Sequence, residues 1–205
     1  MSHLTEKQRN IVRITYWTTL GDLENLRTAL AKGLDQNLTV NEIKEVLVHT
    51  YAYAGFPRAL NGINTFLDLI KDRQAQGIHD EEGRSATLFS ISDKNAYGSQ
   101  MRDKLTGPRP TAAYAKFVPV IDDFLKEHLF ADLFARDTIS HADRELVTIS
   151  VLAALGNVVG QLKTHMTITY HLGIGKEALA DFQAIVENFD KDKGVAVSTI
   201  LTEIE

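Results

Sequence analysis

The chain has 205 residues, 44% of them hydrophobic, a formal net charge of -5 and no cysteine. That is enough apolar material for one sizeable core or for two small domains fused together, and the lack of thiols excludes disulfides, thiolate metal sites, iron–sulfur clusters and thiol redox chemistry. A pI near 5.8 without a basic run argues against a nucleic-acid partner. No apolar run reaches bilayer-spanning length, and MSHLTEKQRN lacks the apolar core of a signal peptide, so a cytoplasmic protein with no membrane partner is expected.

Helix signals dominate from the start. Thr5 with Gln8 reads as a capping box, and Ile11, Ile14, Thr15 and Thr18 share one helical face. Gly21-Asp22 interrupts, a second helix follows over Leu23 to Gln36, and Thr39 with Glu42 caps a third whose stripe is Ile43, Val46, Leu47, Thr50 and Ala54. Gly55-Phe56-Pro57 stops it. Pro57 suits a first helical position, and a fourth helix, Arg58 to Arg73, carries Leu60, Ile63, Asn64, Leu67 and Ile70. Long period-2 alternation is absent, which predicts an all-α fold without a sheet.

From Gln76 to Pro110 glycines, prolines and mixed charges replace apolar periodicity, as in a connector, with a short helix over Asn95 to Leu105. A helix over Thr111 to Phe130 follows, kinked or divided at Pro119. The stretch from Asp143 to Gly173 reads as a helical hairpin, N-capped by Ser140 and broken at Gly156-Asn157. Leu146, Ile149, Ser150, Leu152 and Ala153 form its buried stripe. Glu145 lies at the edge of that stripe and His165 on the second helix.

The second half repeats the first. Aligning the segment from Thr5 with the one from Ser140 matches Arg9 with Arg144, Ile14 with Ile149 and Leu20-Gly21 with Leu155-Gly156. After one inserted residue Leu26 matches Leu162 and Thr28 matches Thr164, the pattern of a tandem duplication of a helical unit. The organisation expected is a first repeat over 1–75, a connector over 76–110 and a second repeat over 111–205. The copies differ where chemistry would sit: Asn10 stands where the second has Glu145, and Ala29 where it has His165. The first copy alone carries YAYAGFPRALN, Tyr51 to Asn61, against NFDKDKGVAVS in the second. These differences suggest one composite site to which each half contributes.

LTVNEIKEVLVHTYAYAGFPRALN in the first half, and RELVTISVLAALG with QLKTHM in the second, resemble the carboxymuconolactone decarboxylase family, which includes the alkylhydroperoxidase-like proteins. FLKEHLFADLFARD, Phe124 to Asp137, is similar to the segment that precedes the decarboxylase-like unit in two-copy members. The resemblance implies an all-helical subunit that assembles as a homo-oligomer, a trimer, a hexamer or a dimer, with sites near helix and subunit interfaces. In the peroxidase branch a Cys-x-x-Cys pair precedes the histidine; the corresponding positions here are Val158 and Gln161, which removes the thiol nucleophile. The glutamate and histidine are retained, as in decarboxylase-like members.

The resemblance therefore implies a cofactor-free lyase or proton-transfer enzyme acting on a small carboxylated lactone or related ring acid. Losing CO2 from such a lactone spreads negative charge into its carbonyl, and a proton must then reach carbon. His165 can supply it, since imidazole titrates near neutrality, and Glu145 can orient its other nitrogen. Glu145 also suits the first turn of its helix for the dipole alone. Arg144, Arg58 and Arg9 are candidates for gripping carboxylates; the matched places of Arg9 and Arg144 favour a structural salt bridge for those two. Tyr51 and Tyr53 are candidate donors to the lactone oxygen, of which at most one faces a pocket because they lie two residues apart. His128 is a third candidate acid or base. His3, His49, His79, His141 and His171 read as surface or packing residues. His165 and His171 point in different directions, and without a His-x-x-x-His or Glu-x-x-His pair no metal and no cofactor is expected. The alternatives are a peroxidase-type antioxidant, disfavoured without cysteine, and a non-catalytic oligomeric ligand-binding protein.

Overall fold

A computed structural model describes residues 3–87, 90–108 and 110–204, and every regular element among them is helical. The fold is all-α. The chain forms two compact units, one of Met1–Arg84 together with Ser140–Glu205 and the other of Ser85–Ile139. The first expected repeat (1–75) and residues 140–205 of the second lie in the first unit, and the second unit holds most of the connector together with residues 111–139 of the second expected repeat.

In the first unit, α1 (Glu6–Leu20) begins where the Thr5 side chain accepts from the Gln8 backbone N–H while the Gln8 side chain accepts from the Thr5 backbone. It ends at Gly21, whose φ of 74° suits glycine. α7 (His141–Leu155) repeats this plan, with Ser140 accepting from the Asp143 N–H and Gly156 at φ 69°. Both helices have 15 residues, and each leads to a 13-residue helix, α2 (Leu23–Asp35) or α8 (Val159–His171). The third helices are both interrupted. α3 (Val40–Ala75) breaks at Gly55, with φ 80° and ψ 167°, and α9 (Lys176–Phe189) gives way at Asp190 to α10 (Lys191–Leu201).

The core lies where α1 packs against α7 and α3 against both. Ile11, Ile14, Thr15 and Thr18 of α1 are buried, as are Leu146, Ile149, Ser150, Leu152 and Ala153 of α7. Each large aliphatic side chain so enclosed contributes roughly 1.5–3 kcal/mol. Three polar contacts tie the halves together reciprocally. Gln8 and Asp143 each stand third after their cap residue, and Gln8 Nε2 donates to Asp143 Oδ1 at 3.0 Å. Arg9 of α1 donates to Asp181 of α9 at 2.7 Å, and Arg144 of α7 donates to Glu45 of α3 at 2.8 Å. Glu45 and Asp181 are each sixth after their helix cap, Thr39 and Gly175. The first helix of each half thus places an arginine on the corresponding acid of the other half.

Beyond the Gly55 break the buried face differs from the expected one. Leu60, Ile63 and Leu67 are 52%, 38% and 49% exposed, whereas Ala59, Gly62, Phe66 and Leu69 are buried. Gly62 lets this face lie close, since a Cβ there would press on the Thr18 and Leu47 side chains, and so Ala59, Gly62, Phe66 and Leu69 turn inward while Leu60, Ile63 and Leu67 stay outside.

The second unit contains α4 (Lys94–Thr106), α5 (Ala113–Phe117), α6 (Pro119–Asp123) and a π-helix (Phe124–Leu133). The expected short helix corresponds to α4. The expected division at Pro119 is present, with Pro119 opening α6, but the continuation winds as a π-helix rather than an α-helix. α4 lies directly on it, because a side chain at Gly98 would collide with the backbone of Lys126. Among the described residues no helix is long and apolar enough to cross a membrane.

Candidate active site

Glu145 is the fifth residue of α7, in its second turn, so that Asp143 and not Glu145 is the first-turn acid, and His165 lies in the middle of α8; the hairpin at Gly156 folds one helix onto the other. His165 Nδ1–H donates to Glu145 Oε2 at 2.8 Å. The Glu145 side chain is 2% exposed and that of His165 19%, so the carboxylate is enclosed and the imidazole reaches toward solvent. Since Nδ1 is held by the carboxylate, Nε2 is the atom left to exchange a proton with a bound molecule.

The third wall comes from α3, in the other half. Glu45, His49 and Tyr53 follow at four-residue spacing and so occupy one face over successive turns. The Tyr53 ring meets His165 edge-on, with centroids 5.9 Å apart at 85°, and lies 5.7 Å from the His49 ring. Its hydroxyl is buried and makes no hydrogen bond of good geometry among the described residues, although the Thr148 hydroxyl is near enough to weigh on its acidity. Burial first, and then the charge of Glu145, push the Tyr53 phenol well above its ordinary range. Tyr53 is therefore held as the neutral phenol, which has a proton to donate in a hydrogen bond.

Behind Tyr53 lies a polar cluster without solvent contact. Thr148 Oγ1 donates to the Arg144 carbonyl at 3.0 Å, which turns its oxygen toward His49 Nε2–H, 3.2 Å away. Arg144 Nη1 donates to His49 Nδ1 at 3.4 Å, and Nη2 donates to Glu45 Oε1 at 2.8 Å. These partners assign His49 the neutral form with its proton on Nε2. Burial first, then the positive charge of Arg144 and the nearby His165, hold its pKa well below the usual imidazole value.

The residues singled out from the sequence are distributed unequally. Glu145, His165 and Tyr53 come together. Tyr51, two residues from Tyr53, packs tilted against Phe56 instead, with ring centroids 4.3 Å apart. Arg144 is fully buried and engaged with Glu45 and His49, so it braces the site from behind. Arg58 lies against Gly21 at the end of α1, and Arg9 is paired with Asp181. His128 belongs to the second unit, where its Nδ1 is 3.2 Å from Asp132 Oδ2. His49 and Thr148 are the residues that sequence reasoning passed over. The Glu45, His49, Tyr53 spacing on one helix face was the available signal, together with Thr148 standing one turn after Glu145. Among the described residues no group of three His, Asp or Glu side chains could hold a metal ion.

No family model matches the chain. It is similar to an uncharacterized protein of Methanocaldococcus jannaschii, 29% identical over 70 residues, which cover 34% of this chain and 65% of that protein. The chain thus spans 65% of the length of the curated relative it matches.

Proposed function

We propose that the protein is a carboxymuconolactone decarboxylase-like enzyme, a cofactor-free acid–base catalyst acting on a small carboxylated lactone or related ring acid. The observation that carries this reading is the 2.8 Å bond from His165 Nδ1–H to the enclosed Glu145 carboxylate, which orients the imidazole and leaves Nε2 for the substrate. In decarboxylation the bond between ring carbon and carboxylate breaks, CO2 leaves, the electron pair moves into the lactone carbonyl, and protonated His165 delivers its Nε2 proton to carbon. Glu145 stabilises the imidazolium while it exists.

We read the halves as two copies of one unit, supported by the recurring helix lengths and the reciprocal Arg9–Asp181 and Arg144–Glu45 pairs. Self-association belongs to the same proposal and is supported by Phe56, Leu60, Ile63 and Leu67, an exposed apolar row at helical spacing on α3. A cytoplasmic location is proposed with it. Thiol peroxidase chemistry lacks a nucleophile in a chain without cysteine. The non-catalytic reading would be favoured by a Glu145 paired to a structural arginine, yet Glu145 is paired to His165.

The test is loss of carboxymuconolactone, followed by its ultraviolet absorbance, with the unmodified protein, His165→Ala and Glu145→Gln compared at matched helical content. Turnover that falls by about 10²-fold or more in both variants is expected. No turnover by the unmodified protein, or variants that keep pace with it, would remove the lyase reading.

A further inference from the structure

The two halves provide an internal control for deciding which residues serve the site. Counting from the helix caps pairs Arg144 with Arg9, Glu145 with Asn10, Thr148 with Arg13, Glu45 with Asp181, His49 with Ile185 and Tyr53 with Phe189. The arginine–acid pair occurs in both halves, at 2.8 and 2.7 Å, and so belongs to the shared architecture. Glu145, Thr148, His49 and Tyr53 occur together on one side only, the side that has His165. On the other side Asn10 is buried and donates to Gln36 at 2.7 Å. Phe189 there fills its space against Tyr16 and Trp17, with centroids 5.0 and 4.6 Å away. A hydroxyl is thus present at this helix position only where the acid–base pair is present.

We propose that Tyr53 is a catalytic residue that donates its hydroxyl to the carbonyl oxygen of the substrate, and that His49 is the positioning residue that holds it there. The inference rests on the acid–base reading of Glu145 and His165. It is carried by a buried Tyr53 hydroxyl with no acceptor of good geometry among the described residues, edge-on to His165. The Tyr16 hydroxyl is also buried without a hydrogen-bond partner among the described residues, so what singles out Tyr53 is its place edge-on to His165, where a ligand oxygen would complete its donor. The substrate class follows. Arg144 and Arg9 are paired within the chain, and the groups beside His165 are the Tyr53 phenol and the Glu145 carboxylate, which suit a ring carbonyl, a lactone or cyclic ketone, in which oxygen gains charge.

In the proton-transfer form of the reaction His165 Nε2 takes a proton from the carbon beside the carbonyl. The C–H electron pair forms a C=C bond, and the carbonyl π pair moves to oxygen, where the Tyr53 O–H hydrogen-bonds to it. Return of the proton from Nε2 to carbon restores the carbonyl, so electrons and protons balance without an oxidant. His49 contributes through its neutral ring, fixed between Arg144 Nη1 and Thr148 Oγ1 and packed on Tyr53.

The probe is 4-nitrophenol in mildly alkaline buffer, whose phenolate oxygen stands for the enolate oxygen, with nitrobenzene as the isostere lacking that oxygen. Binding is followed by the visible band of the nitrophenolate and, for nitrobenzene, by competition. Tyr53→Phe should weaken nitrophenolate about tenfold or more and leave nitrobenzene unchanged. His49→Ile, which installs the residue of the other half, should produce the same selective loss, and His49→Gln, with a donor and an acceptor on its amide, should recover most of it. Failure of the unmodified protein to bind nitrophenolate, or equal weakening of both probes in Tyr53→Phe, overturns the proposal. If His49→Ile unfolds, Tyr53→Phe still decides, because Phe189 occupies the same place in the other half. Binding is read without turnover, so a negative result here is distinct from a failure of the lyase assay.

Discussion

Gln8 and Asp143 hold the same place in the two halves and hydrogen-bond to each other at 3.0 Å, so the halves meet through matching residues. On either side of this contact the Arg9–Asp181 and Arg144–Glu45 pairs run in opposite senses between them.

The two ion pairs differ in burial, and this predicts unequal consequences. Arg144→Met leaves Glu45 charged and enclosed, at 0% and 3% side-chain exposure in the intact pair, and should destabilise the protein by about 3–5 kcal/mol. Arg9→Met removes a pair at 25% and 18% exposure and should cost about 1 kcal/mol. Urea denaturation of both variants checks the difference. Equal losses would contradict the assignment of Arg144 as the internal brace.

Stability should also depend on His49. Its folded pKa is lowered from 6.5, by burial and then by Arg144 and His165, so below about pH 6.5 the unfolded chain binds a proton that the folded chain refuses. Stability contributed by this group is complete above that range and is lost as pH falls, by about 1.4 kcal/mol per pH unit at most. The unfolding free energy of the unmodified protein should therefore fall more steeply between about pH 6.5 and 5 than that of His49→Ile. Parallel pH profiles would mean that His49 is not held neutral.

Gly55 sets the direction in which α3 turns just after Tyr53. Its φ of 80° with ψ 167° lies where a side chain is strained, and Gly55→Ala should cost about 1–3 kcal/mol. Because the break follows Tyr53 by two residues, the same substitution should reduce nitrophenolate binding. A thermal melt and the binding titration on one preparation measure both effects.

In the second unit, Gly98→Ala would place a methyl group against the backbone of Lys126, which cannot rotate away as a side chain can. A loss of about 1–3 kcal/mol is expected. Hydrogen exchange should report it as faster exchange over α4 and the π-helix, while the amides of α7 are unaffected.

Much of the fold was legible because local chemistry and packing agree in it. Thr5, Thr39 and Ser140 cap helices as their side chains suggest, and Gly21, Gly55 and Gly156 end or break them at positive φ. The short helix expected near Asn95 is present over Lys94–Thr106, and the structure adds Asp93 as its cap. The buried face after Gly55 was not, because periodicity fixes the spacing of a stripe but not which side the core takes. There the close approach at Gly62 outweighed the larger apolar surface of Leu60, Ile63 and Leu67. The π winding of Phe124–Leu133 has no counterpart in residue pattern.

The site was legible in its pair and hidden in its surroundings. Glu145 and His165 share a hairpin, so sequence proximity announces them. Tyr53 was already a candidate from the YAYAGFPRALN stretch, whereas His49 and Thr148, 99 positions apart, join the site only because α3 packs on α7, a relation that no local pattern encodes. Arg144 sits beside Glu145 in sequence, yet its side chain turns away toward Glu45.

The crossed arginine–acid pairs carry a consequence for how this protein varies. In an assembly of two identical chains, any substitution strikes both symmetry-related places at once, and the scaffold and the chemistry must tolerate it twice. Here Arg9 and Arg144, or Tyr53 and Phe189, are separate codons. One place can vary without the other, so that Tyr53 beside His165 and Phe189 against Tyr16 and Trp17 change independently.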